Sequence, residues 1–374
     1  MRRICVLDPH LLAFRDIQTP ALVLDASALA RNIAAMAAFA KANGVALRPH
    51  AKTHKSPRIA RMQLDAGARG VCCATVAEIE AMARAGITGL LLTAPVADRP
   101  KLERLVRVTR DHDISVVIDH AEQVAVLGEL LGDNSRLLQV LVDIDVGQRR
   151  TGAVDAADTV ALAQRISAMP SLRFGGIQGY AGHVQHIVDG GARKAASLAV
   201  HAILDEHLAA LAQAGIEPAI VTGVGTGACA FDAAGPYVEW QVGSYVFMDA
   251  DYGAVQQEGG AALPWEPGLF VLATVTSVNR AGEFTVDAGT KALAFNGPLP
   301  ELILGAPDGS TYRFGGDEHG MITVPAGAAV PPLGSRVLLL TTHCDPTVNL
   351  HADYHVVGHN NGIEIWPVAG RYGG

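Results

Sequence analysis

The sequence predicts a (β/α)8 barrel followed by an antiparallel β domain, because the pattern of apolar and turn-forming residues changes along the chain. Between about residues 20 and 250, eight short apolar runs are separated mostly by alanine-rich segments with the apolar spacing of amphipathic helices. After about residue 255, β-rich runs alternate with turns of Gly, Asn, Asp and Pro, and no helical period remains. This α/β pattern favours parallel strands closed into a barrel, with an open doubly wound sheet as the alternative.

The predicted domain boundary lies near residue 258. The barrel is expected to span residues 19–258, and the β domain residues 259–374 together with 1–18. We predict a linker in GGAALPWEPG (259–268), and a last barrel strand with its exit loop in WQVGSYVFMDADYG (240–253). The eight strand-like runs are ALVLD (21–25), ALRPHAKT (46–53), GVCCAT (70–75), GLLLTAP (89–95), ISVVID (114–119), LLQVLVDID (137–145), RFGGIQGY (173–180) and AIVTGVG (219–225).

Length and composition indicate a globular protein of two domains. Its 374 residues exceed the size at which a single hydrophobic core stops growing. A net charge of −8 with scattered acidic residues argues against a nucleic-acid partner, and no apolar run reaches the ~18 residues of a membrane span. The N-terminal segment is too interrupted for a secretory signal, and five cysteines without a spaced framework indicate reduced thiols, so we expect a cytoplasmic protein.

The segment RPHAKTHKSP (48–57) places a lysine at the end of a predicted strand. Period-2 alternation puts Arg48, His50 and Lys52 on one side of that strand, and a barrel keeps its active site at the C-terminal mouth of its strands. A lysine amine there can form a Schiff base with an aldehyde if its surroundings lower its pKa. The alternative interpretation is a solvated basic strand end.

The glycine-rich turn after the eighth run is a candidate anion site. In IVTGVGTGA (220–228), the N–H groups around Gly223, Gly225 and Gly227 can face an anion, with help from the hydroxyls of Thr222 and Thr226. Barrels commonly bind phosphate at this strand. The segment lacks both the Walker pattern and the dinucleotide G-x-G-x-x-G spacing, and an ordinary turn is the alternative.

Two further strand ends carry polar groups. The segment VDIDVGQRRTG (142–152) presents Arg150, whose charge near a pyridine nitrogen would discourage ring protonation; loop salt bridges are the alternative.

The segment GYAGHVQH (179–186) presents Tyr180, His183 and His186, and histidine suits general-base work near neutral pH. We expect one of the two histidines to be structural.

The segment THCDPTVNLH (342–351) contains a candidate metal pair. On a strand, His343 and Asp345 would share one face while Cys344 points away. One imidazole and one carboxylate suit Mn²⁺ or Mg²⁺ with positions left open for water or substrate, whereas zinc bound by thiolate would need Cys344 to turn inward.

Together and in this order, RPHAKTHK and the distal HCDPTVNLH resemble the D-threonine aldolase and D-serine dehydratase family of fold-type III pyridoxal-phosphate (PLP) enzymes. The resemblance covers nearly the whole chain. It implies that Lys52 is the Schiff-base residue with His50 beside the cofactor, and that Arg150 approaches the ring nitrogen. It also implies that Tyr180 and the glycine-rich turn hold the phosphate, and that His186 accepts a proton near the substrate hydroxyl.

The metal motif separates the branches of this family. Dehydratase members carry His-x-Cys and bind zinc, whereas aldolase members carry His-x-Asp and use Mn²⁺ or Mg²⁺. Asp345 therefore implies an aldolase that cleaves D-β-hydroxy amino acids of the D-threonine and D-allo-threonine type to glycine and an aldehyde. A 3-hydroxy-D-aspartate aldolase, a dehydratase, an amino-acid racemase and a PLP carrier without turnover are the alternatives. The resemblance also implies a homodimer.

Overall fold

A computed structural model describes residues 16–132, 136–358 and 362–372 of the chain. The prediction that the N-terminal residues join the β domain falls largely outside them. The chain divides into two compact units, which we call the barrel unit and the β unit. The barrel unit comprises Met36–Gly243, Gln256–Ala261 and the described residues after Val368. The β unit comprises the described residues up to Ala35, Ser244–Val255 and Ala262–Val368.

Strands are found throughout the described chain. They are β1 Ala21–Asp25, β2 Ala46–Leu47, β3 Cys72–Cys73, β4 Leu90–Leu92, β5 Ile114–Ile118, β6 Leu138–Asp143, β7 Leu172–Gly179, β8 Ile220–Gly223, β9 Glu239–Trp240, β10 Leu269–Arg280, β11 Glu283–Val286, β12 Glu301–Leu304, β13 Thr311–Phe314, β14 Gly320–Thr323, β15 Arg336–Leu340, β16 Asp353–Val357 and β17 Ile363–Pro367.

Helices alternate with the strands of the barrel unit, and short polar side chains begin several of them. Ser56, Thr75, Asp98 and Asp189 each accept a hydrogen bond from a backbone N–H of the first helical turn, as N-cap residues do. The helices are α1 Ala26–Ala42, α2 Pro57–Asp65, α3 Val76–Arg84, α4 Arg99–Thr109, α5 Ala121–Leu131, α6 Ala156–Ser167, α7 Gly190–Gln213, α8 Cys229–Asp232, α9 Ala250–Ala254 and α10 Cys344–Leu350.

The barrel unit confirms the predicted barrel of parallel strands. Its eight strands follow the order β2-β9-β8-β7-β6-β5-β4-β3. The two ends of this path meet, because the Cys72 N–H donates to the Pro49 carbonyl at 2.8 Å and His50 forms a parallel bridge with Cys72. Buried apolar side chains from five strands meet in one cluster, which consists of Cys72, Leu91, Val117, Leu141 and Ile220.

One predicted barrel strand belongs elsewhere. The run ALVLD is β1, which pairs antiparallel with β10 and parallel with β16 in the β unit. The eighth barrel strand is instead β9, at the start of the segment that we predicted to hold a last strand and exit loop. All five residues of β1 are buried. A continuous apolar run is expected for a buried strand of either sheet, so the sequence pattern alone does not assign it to one of them. The barrel unit consequently begins at Met36 rather than at the predicted residue 19.

The β unit is built on one largely antiparallel sheet, as predicted for the C-terminal part. Its path is β13-β14-β11-β10-β1-β16-β17, and β15 pairs with both β10 and β12. A core cluster includes Val23 of β1, Phe270 and Leu272 of β10, and Leu338 and Leu340 of β15, each at most 2% exposed.

Helix α7 is, among the described helices, the one long and apolar enough to cross a membrane by length and composition alone. It has 24 residues, and the mean hydropathy of its most apolar window is 1.2. The sequence of α7 is not a continuous apolar run, because charged and polar residues occur along the helix. The helix follows β7 and precedes β8 in the barrel, which is the place of a connecting helix in a globular domain.

Candidate cofactor and metal sites

Lys52 lies in a short 3-10 turn, Ala51–Thr53, that follows β2. The His50 side chain caps this turn, since its Nδ1 accepts from the Lys52 N–H at 3.3 Å. Ala51 and Thr53 are buried while Lys52 is half-buried. The predicted strand alternation therefore ends at His50, and Lys52 faces the same cavity as His50 because of the turn.

A cavity of about 290 Å³ opens beside this turn in the barrel unit. Its volume is at the lower end of the roughly 300–1,000 Å³ usual for small-molecule sites. Four predicted site residues line it: His50, Lys52, Arg150 and Tyr180. The remaining lining residues are Ala74, Thr93, Ala94, Pro95, Thr151, Gln178 and Gln241. An amine, a guanidinium and small apolar walls fit a compact planar anion that carries an aldehyde.

The Tyr180 ring contacts both cations of the cavity. The Lys52 Nζ lies 5.6 Å from the centroid of its ring, and the Arg150 Cζ lies 5.8 Å from it. Both distances are within the range of cation–π attraction. The ring therefore helps to keep two positive side chains in one small cavity.

Hydrogen bonds assign the tautomer of His50. The Thr93 hydroxyl donates to the Cys73 carbonyl at 3.1 Å and lies 2.9 Å from the His50 Nε2. Because that hydroxyl proton is already used, Nε2–H of His50 must donate to Thr93. The Nδ1 then carries the lone pair that accepts from the Lys52 N–H, so His50 is neutral and held in place.

Sequence reasoning missed two glutamines at the cavity wall. The Gln178 Nε2 donates to the Asp143 Oδ1 at 2.8 Å and to the Thr93 carbonyl, and Gln241 donates to the Gln178 Oε1 at 3.0 Å. Burial raises the pKa of Asp143 to about 6, although hydrogen bonds from Gln178 and Thr151 oppose the shift. Gln178 stands two residues before Tyr180, in the buried part of β7 that is otherwise apolar (175–179), and this polar interruption was the available signal.

Arg48 and Thr222 lie in the barrel interior rather than at the cavity. Arg48 forms a bidentate ion pair with Glu239, in which both N–O distances are 2.9 Å. The Thr222 hydroxyl donates to the same carboxylate at 3.1 Å and accepts from Gln241. The hydroxyl of Thr222, which we predicted to bind phosphate, is thus engaged in the interior network.

The glycine-rich turn is buried and does not line the cavity. Gly223, Gly225, Thr226 and Gly227 follow β8 as predicted. The N–H groups of Gly227 and Ala228 donate to Oε1 of Gln185, at 3.0 and 3.1 Å. This partner was missed because a lone buried glutamine has no sequence signature.

His186 is exposed and also lies outside the cavity lining. It follows the 3-10 turn Gly182–Val184, which comes directly after β7 and Tyr180. Lys55, the other lysine of the motif, is buried and forms an ion pair with Glu78. Its Nζ also donates to the Gly370 carbonyl at 3.3 Å. Lys52 is therefore the lysine at the cavity.

Backbone strain coincides with the predicted sites. Among the described residues, four non-glycine residues have positive φ: Lys55 (46°), Arg149 (57°), Val224 (69°) and Met248 (47°). Such conformations cost free energy and persist where packing enforces them, often at functional sites. They lie beside the Lys52 turn, Arg150, the glycine-rich turn and the metal cluster described next.

The predicted metal pair lies at the start of a helix, so the strand prediction was wrong. His343 is the residue before α10, and Asp345 lies in its first turn. Cys344 is fully buried, while His343 and Asp345 are half-buried. The difference in burial between Cys344 and its two neighbours agrees with the prediction, but its cause is the start of a helix and not the alternation of a strand. Proline at position 346 suits the first turn of a helix, and its position there was the overlooked signal.

Asp249, which sequence reasoning missed, holds this turn in the β unit. Its Oδ2 lies 3.1 Å from Nδ1 of His343 and accepts from the Cys344 N–H at 2.8 Å. Its Oδ1 caps α9 by accepting from the Tyr252 N–H at 2.8 Å. Burial opposes protonation of His343, but the hydrogen bond to Asp249 and the charges of Asp345 and other nearby carboxylates raise its pKa to about 9.

Three side chains of the β unit form a group that could hold a metal ion. Asp249, His343 and Cys344 offer atoms within 4.8 Å of one another. Burial, and secondarily the charges of Asp249 and Asp345, raise the pKa of Cys344 well above its usual range. Both oxygens of Asp249 accept hydrogen bonds from protein groups. The predicted ligand Asp345 lies in the same helical turn but is not one of these three residues.

Comparison with known proteins gives matches over almost the whole chain. The family model "Alanine racemase, N-terminal domain" matches residues 24–251, and "Putative serine dehydratase domain" matches residues 268–357. D-threonine aldolase of an Arthrobacter species is 40% identical, over 95% of this chain and 93% of that protein. 3-Hydroxy-D-aspartate aldolase of Paracoccus denitrificans is 38% identical, over 95% of this chain and 92% of that protein.

Solved structures agree with these matches. D-threonine aldolase from Filomicrobium marinum superposes with a TM-score of 0.90 at 39% identity, covering 94% of this chain and 95% of that one. D-threo-3-hydroxyaspartate dehydratase from a Delftia species gives 0.80 at 26% identity, covering 94% of this chain and 97% of that one. The chain therefore belongs to the D-threonine aldolase and D-serine dehydratase family of PLP-dependent, fold-type III enzymes, which are lyases.

Proposed function

We propose that this chain is a PLP- and divalent-metal-dependent aldolase. It cleaves the Cα–Cβ bond of D-β-hydroxy amino acids of the D-threonine and D-allo-threonine type, and releases glycine and an aldehyde. The observation that carries the proposal is the cavity that holds Lys52 with His50, Tyr180 and Arg150. The 40% identity to a D-threonine aldolase supports this choice of substrate class.

The proposed cofactor residues are those predicted from the sequence. Lys52 would bind the aldehyde of PLP covalently, with neutral His50 fixed beside it. Arg150 would stand near the ring nitrogen. Tyr180 and the turn from Thr222 through Gly223, Gly225, Thr226 and Gly227 would serve the phosphate, although Thr222 would act through the interior network. When bound, PLP supplies an electron sink for the negative charge left on Cα.

The proposed metal ligands are His343 and Asp345, with Mn²⁺ or Mg²⁺ as the ion. The support is an imidazole nitrogen and a carboxylate at the start of one helix, a pair of donors that suits these ions. A bound cation lowers the pKa of a coordinated hydroxyl and so favours loss of the β-hydroxyl proton. This role is independent of the covalent work of Lys52.

Proton transfer is proposed for His186. It would take the β-hydroxyl proton directly or through a water as the Cα–Cβ bond breaks, and the aldehyde would leave from Cβ. Exposure of His186 allows such exchange with water. A proton gained at Cα completes glycine, and Lys52 is the residue that would hold PLP between turnovers. A positioned base of this kind contributes typically 10²–10⁴-fold.

A 3-hydroxy-D-aspartate aldolase, which gives glycine and glyoxylate, is the second candidate. The observation that favours it is the 38% identity to the Paracoccus enzyme, close to the 40% for the first candidate. A dehydratase has less support, since the Delftia relative is 28% identical. A solved form of that dehydratase is a cysteine-to-alanine variant without metal, whereas this chain carries Asp345 in its proposed metal pair.

A product assay tests the proposal. The full-length protein with PLP is given D-threonine or 3-hydroxy-D-aspartate, with Mn²⁺ or with a chelator, and L-threonine serves as the stereochemical control. We expect glycine and an aldehyde from the D-substrates in the presence of Mn²⁺. Ammonia and a 2-oxo acid as the main products would contradict the proposal, and turnover that a chelator leaves unchanged would favour a racemase-like, metal-free activity.

Lys52→Ala tests the covalent role separately. The variant should lose the visible absorbance of the lysine-bound cofactor and any imine trapped by borohydride, while its far-UV circular dichroism stays unchanged. Lys55→Ala is not a matched control because Lys55 is ion-paired in the interior; Lys41→Ala on the exposed face of α1 is suitable. An absorbance that survives in Lys52→Ala would assign the cofactor to another lysine.

Assembly and location remain proposals drawn from the family. We infer a homodimer in the cytoplasm, as the resemblance to the family implies. Light scattering at micromolar concentration tests the dimer, and a monomer under all conditions would contradict it.

A further inference from the structure

Arg193 is a fully buried cation in the barrel unit and is not part of the cavity lining. It lies in the first turn of α7 with none of its surface exposed to solvent. A buried guanidinium is costly unless its donors and its charge are both compensated. The groups around Arg193 therefore indicate which function its buried charge serves.

The hydrogen bonds of Arg193 all end on backbone carbonyls. Its Nε donates to the Gly227 oxygen at 2.9 Å, and its terminal nitrogens donate to the oxygens of Ile187, Val188 and Gln256. Among the described residues no carboxylate forms an ion pair with it. Its five N–H donors are largely satisfied, and its Cζ lies 5.4 Å from the centroid of the Phe231 ring, but no full negative charge is paired with it among the described residues.

Electrostatics agree with this picture. Burial lowers the pKa of Arg193, and the charge of Asp189, which caps α7, only partly offsets that effect. The guanidinium remains charged at any physiological pH. A negative group placed nearby would therefore be bound more strongly than at the protein surface.

Gln185 fixes the other side of the same peptide. It accepts from the N–H groups of Gly227 and Ala228, while Arg193 binds the Gly227 carbonyl. A Cβ on Gly225 would come within 2.4 Å of the Gln185 side chain, and one on Gly227 within 2.1 Å of its carbonyl. Glycine is required at position 227 because the close atom belongs to the Gln185 backbone, whereas a side chain at position 225 would displace the Gln185 side chain from its hydrogen bonds.

We infer that Arg193 is the positioning residue that makes the turn at Gly225–Gly227 selective for a phosphate dianion. The inference rests on the proposed PLP site and names the buried charge behind it. Arg193 does two things: its Nε orients the Gly227 peptide, and its guanidinium places a positive charge without a carboxylate partner next to the turn. It also binds Ile187 and Val188, so it links this turn to the chain segment that carries His186.

Pyridoxal, which has the aldehyde of PLP but no phosphate, gives a direct test. The full-length chain is stripped of cofactor, and the affinities for PLP and pyridoxal are measured by titrating the absorbance of the lysine-bound form. The variants are Arg193→Gln, which removes the charge, and Arg193→Lys, which keeps it. The matched control is Lys194→Gln, one residue along the helix, where the side chain is exposed and pairs with Glu258 at 3.0 Å.

Arg193→Gln should weaken PLP binding by about 10- to 100-fold and change pyridoxal binding by less than about threefold. Arg193→Lys should retain most of the preference for PLP, and Lys194→Gln all of it. Equal losses for both cofactors in Arg193→Gln would overturn the inference, because a merely structural role disturbs both. If Arg193→Gln does not fold, Arg193→Met serves as a second uncharged variant. An unchanged ratio of PLP affinity to pyridoxal affinity in Arg193→Met would also overturn the inference. In either case, Arg193→Lys must still prefer PLP.

The proposed cofactor site fails in a different way. If the wild-type protein binds neither PLP nor pyridoxal through Lys52, the cofactor proposal is wrong, and the role of Arg193 falls with it. If pyridoxal and PLP both bind with equal affinity to the wild-type protein, the cofactor proposal survives and the inference on Arg193 does not.

Discussion

Asp249→Asn should weaken metal binding without unfolding the β unit. The Asp249 carboxylate holds Nδ1 of His343 at 3.1 Å and the Cys344 N–H at 2.8 Å, so it leaves Nε2 of His343 for the metal. The aspartate accepts at two positions, because Oδ2 serves His343 and Cys344 while Oδ1 serves the Tyr252 N–H. Asparagine has one oxygen and one NH₂ group, so it cannot accept at both positions. If the NH₂ group faces Nδ1, the histidine proton moves to Nε2 and blocks the metal-binding lone pair.

The expected size of this effect follows from the role of such carboxylates. Loss of a residue that orients a ligating histidine typically costs 10- to 100-fold in metal affinity, or about 1.4–2.7 kcal/mol. With the NH₂ group facing Nδ1, the amide oxygen takes the Oδ1 position, so the hydrogen bond from the Tyr252 N–H and the start of α9 should survive. The variant should therefore unfold at nearly the wild-type temperature when metal is absent.

Isothermal titration with Mn²⁺ measures the effect on the PLP-loaded, full-length protein and needs no turnover. Asp251→Asn is the control, because the Asp251 charge acts on His343 and its loss should be screened by salt to less than about threefold. A Mn²⁺ affinity of Asp249→Asn within twofold of wild type would refute the reasoning. An equal loss in Asp251→Asn would refute it as well, since charge alone would then suffice.

Further predictions concern the buried ion pair, the buried acid and the metal ligand. Glu239→Gln leaves the Arg48 guanidinium without a counter-charge, so denaturant unfolding of the barrel unit should show a loss of about 3–5 kcal/mol, and a loss below about 1 kcal/mol contradicts this. Asp143 has a folded pKa of about 6, above the 3.8 of an ordinary aspartate, so the wild-type protein should gain up to about 3 kcal/mol over Asp143→Asn as the pH falls from 7 to 4; a gap that does not vary with pH contradicts the shift. Asp345→Ala should lose Mn²⁺ binding while visible absorbance of the cofactor is retained, and full Mn²⁺ affinity in that variant would move the metal site elsewhere.

The candidate site was predictable where its residues are neighbours in the sequence. The motif around Lys52 needs only a strand followed by a turn, and the cavity indeed contains Lys52 and His50. Tyr180 and Arg150 were found because they follow consecutive barrel strands, whose ends meet at one mouth. The hydrogen bond from Thr222 to Glu239 was not predicted, because the two residues are seventeen positions apart in the sequence.

Apolar periodicity and local motifs were enough to establish a barrel, a β-rich C-terminal part and the lysine at the cavity, because those signals act over a few residues. Folding alone decided the partners of β1, since a run buried on both faces suits either sheet. It also decided the contacts of Arg193 with Gly227 and of Asp249 with His343, which join residues 34 and 94 positions apart. Such long-range hydrogen bonds depend on how whole elements pack, and no short window of sequence contains both partners.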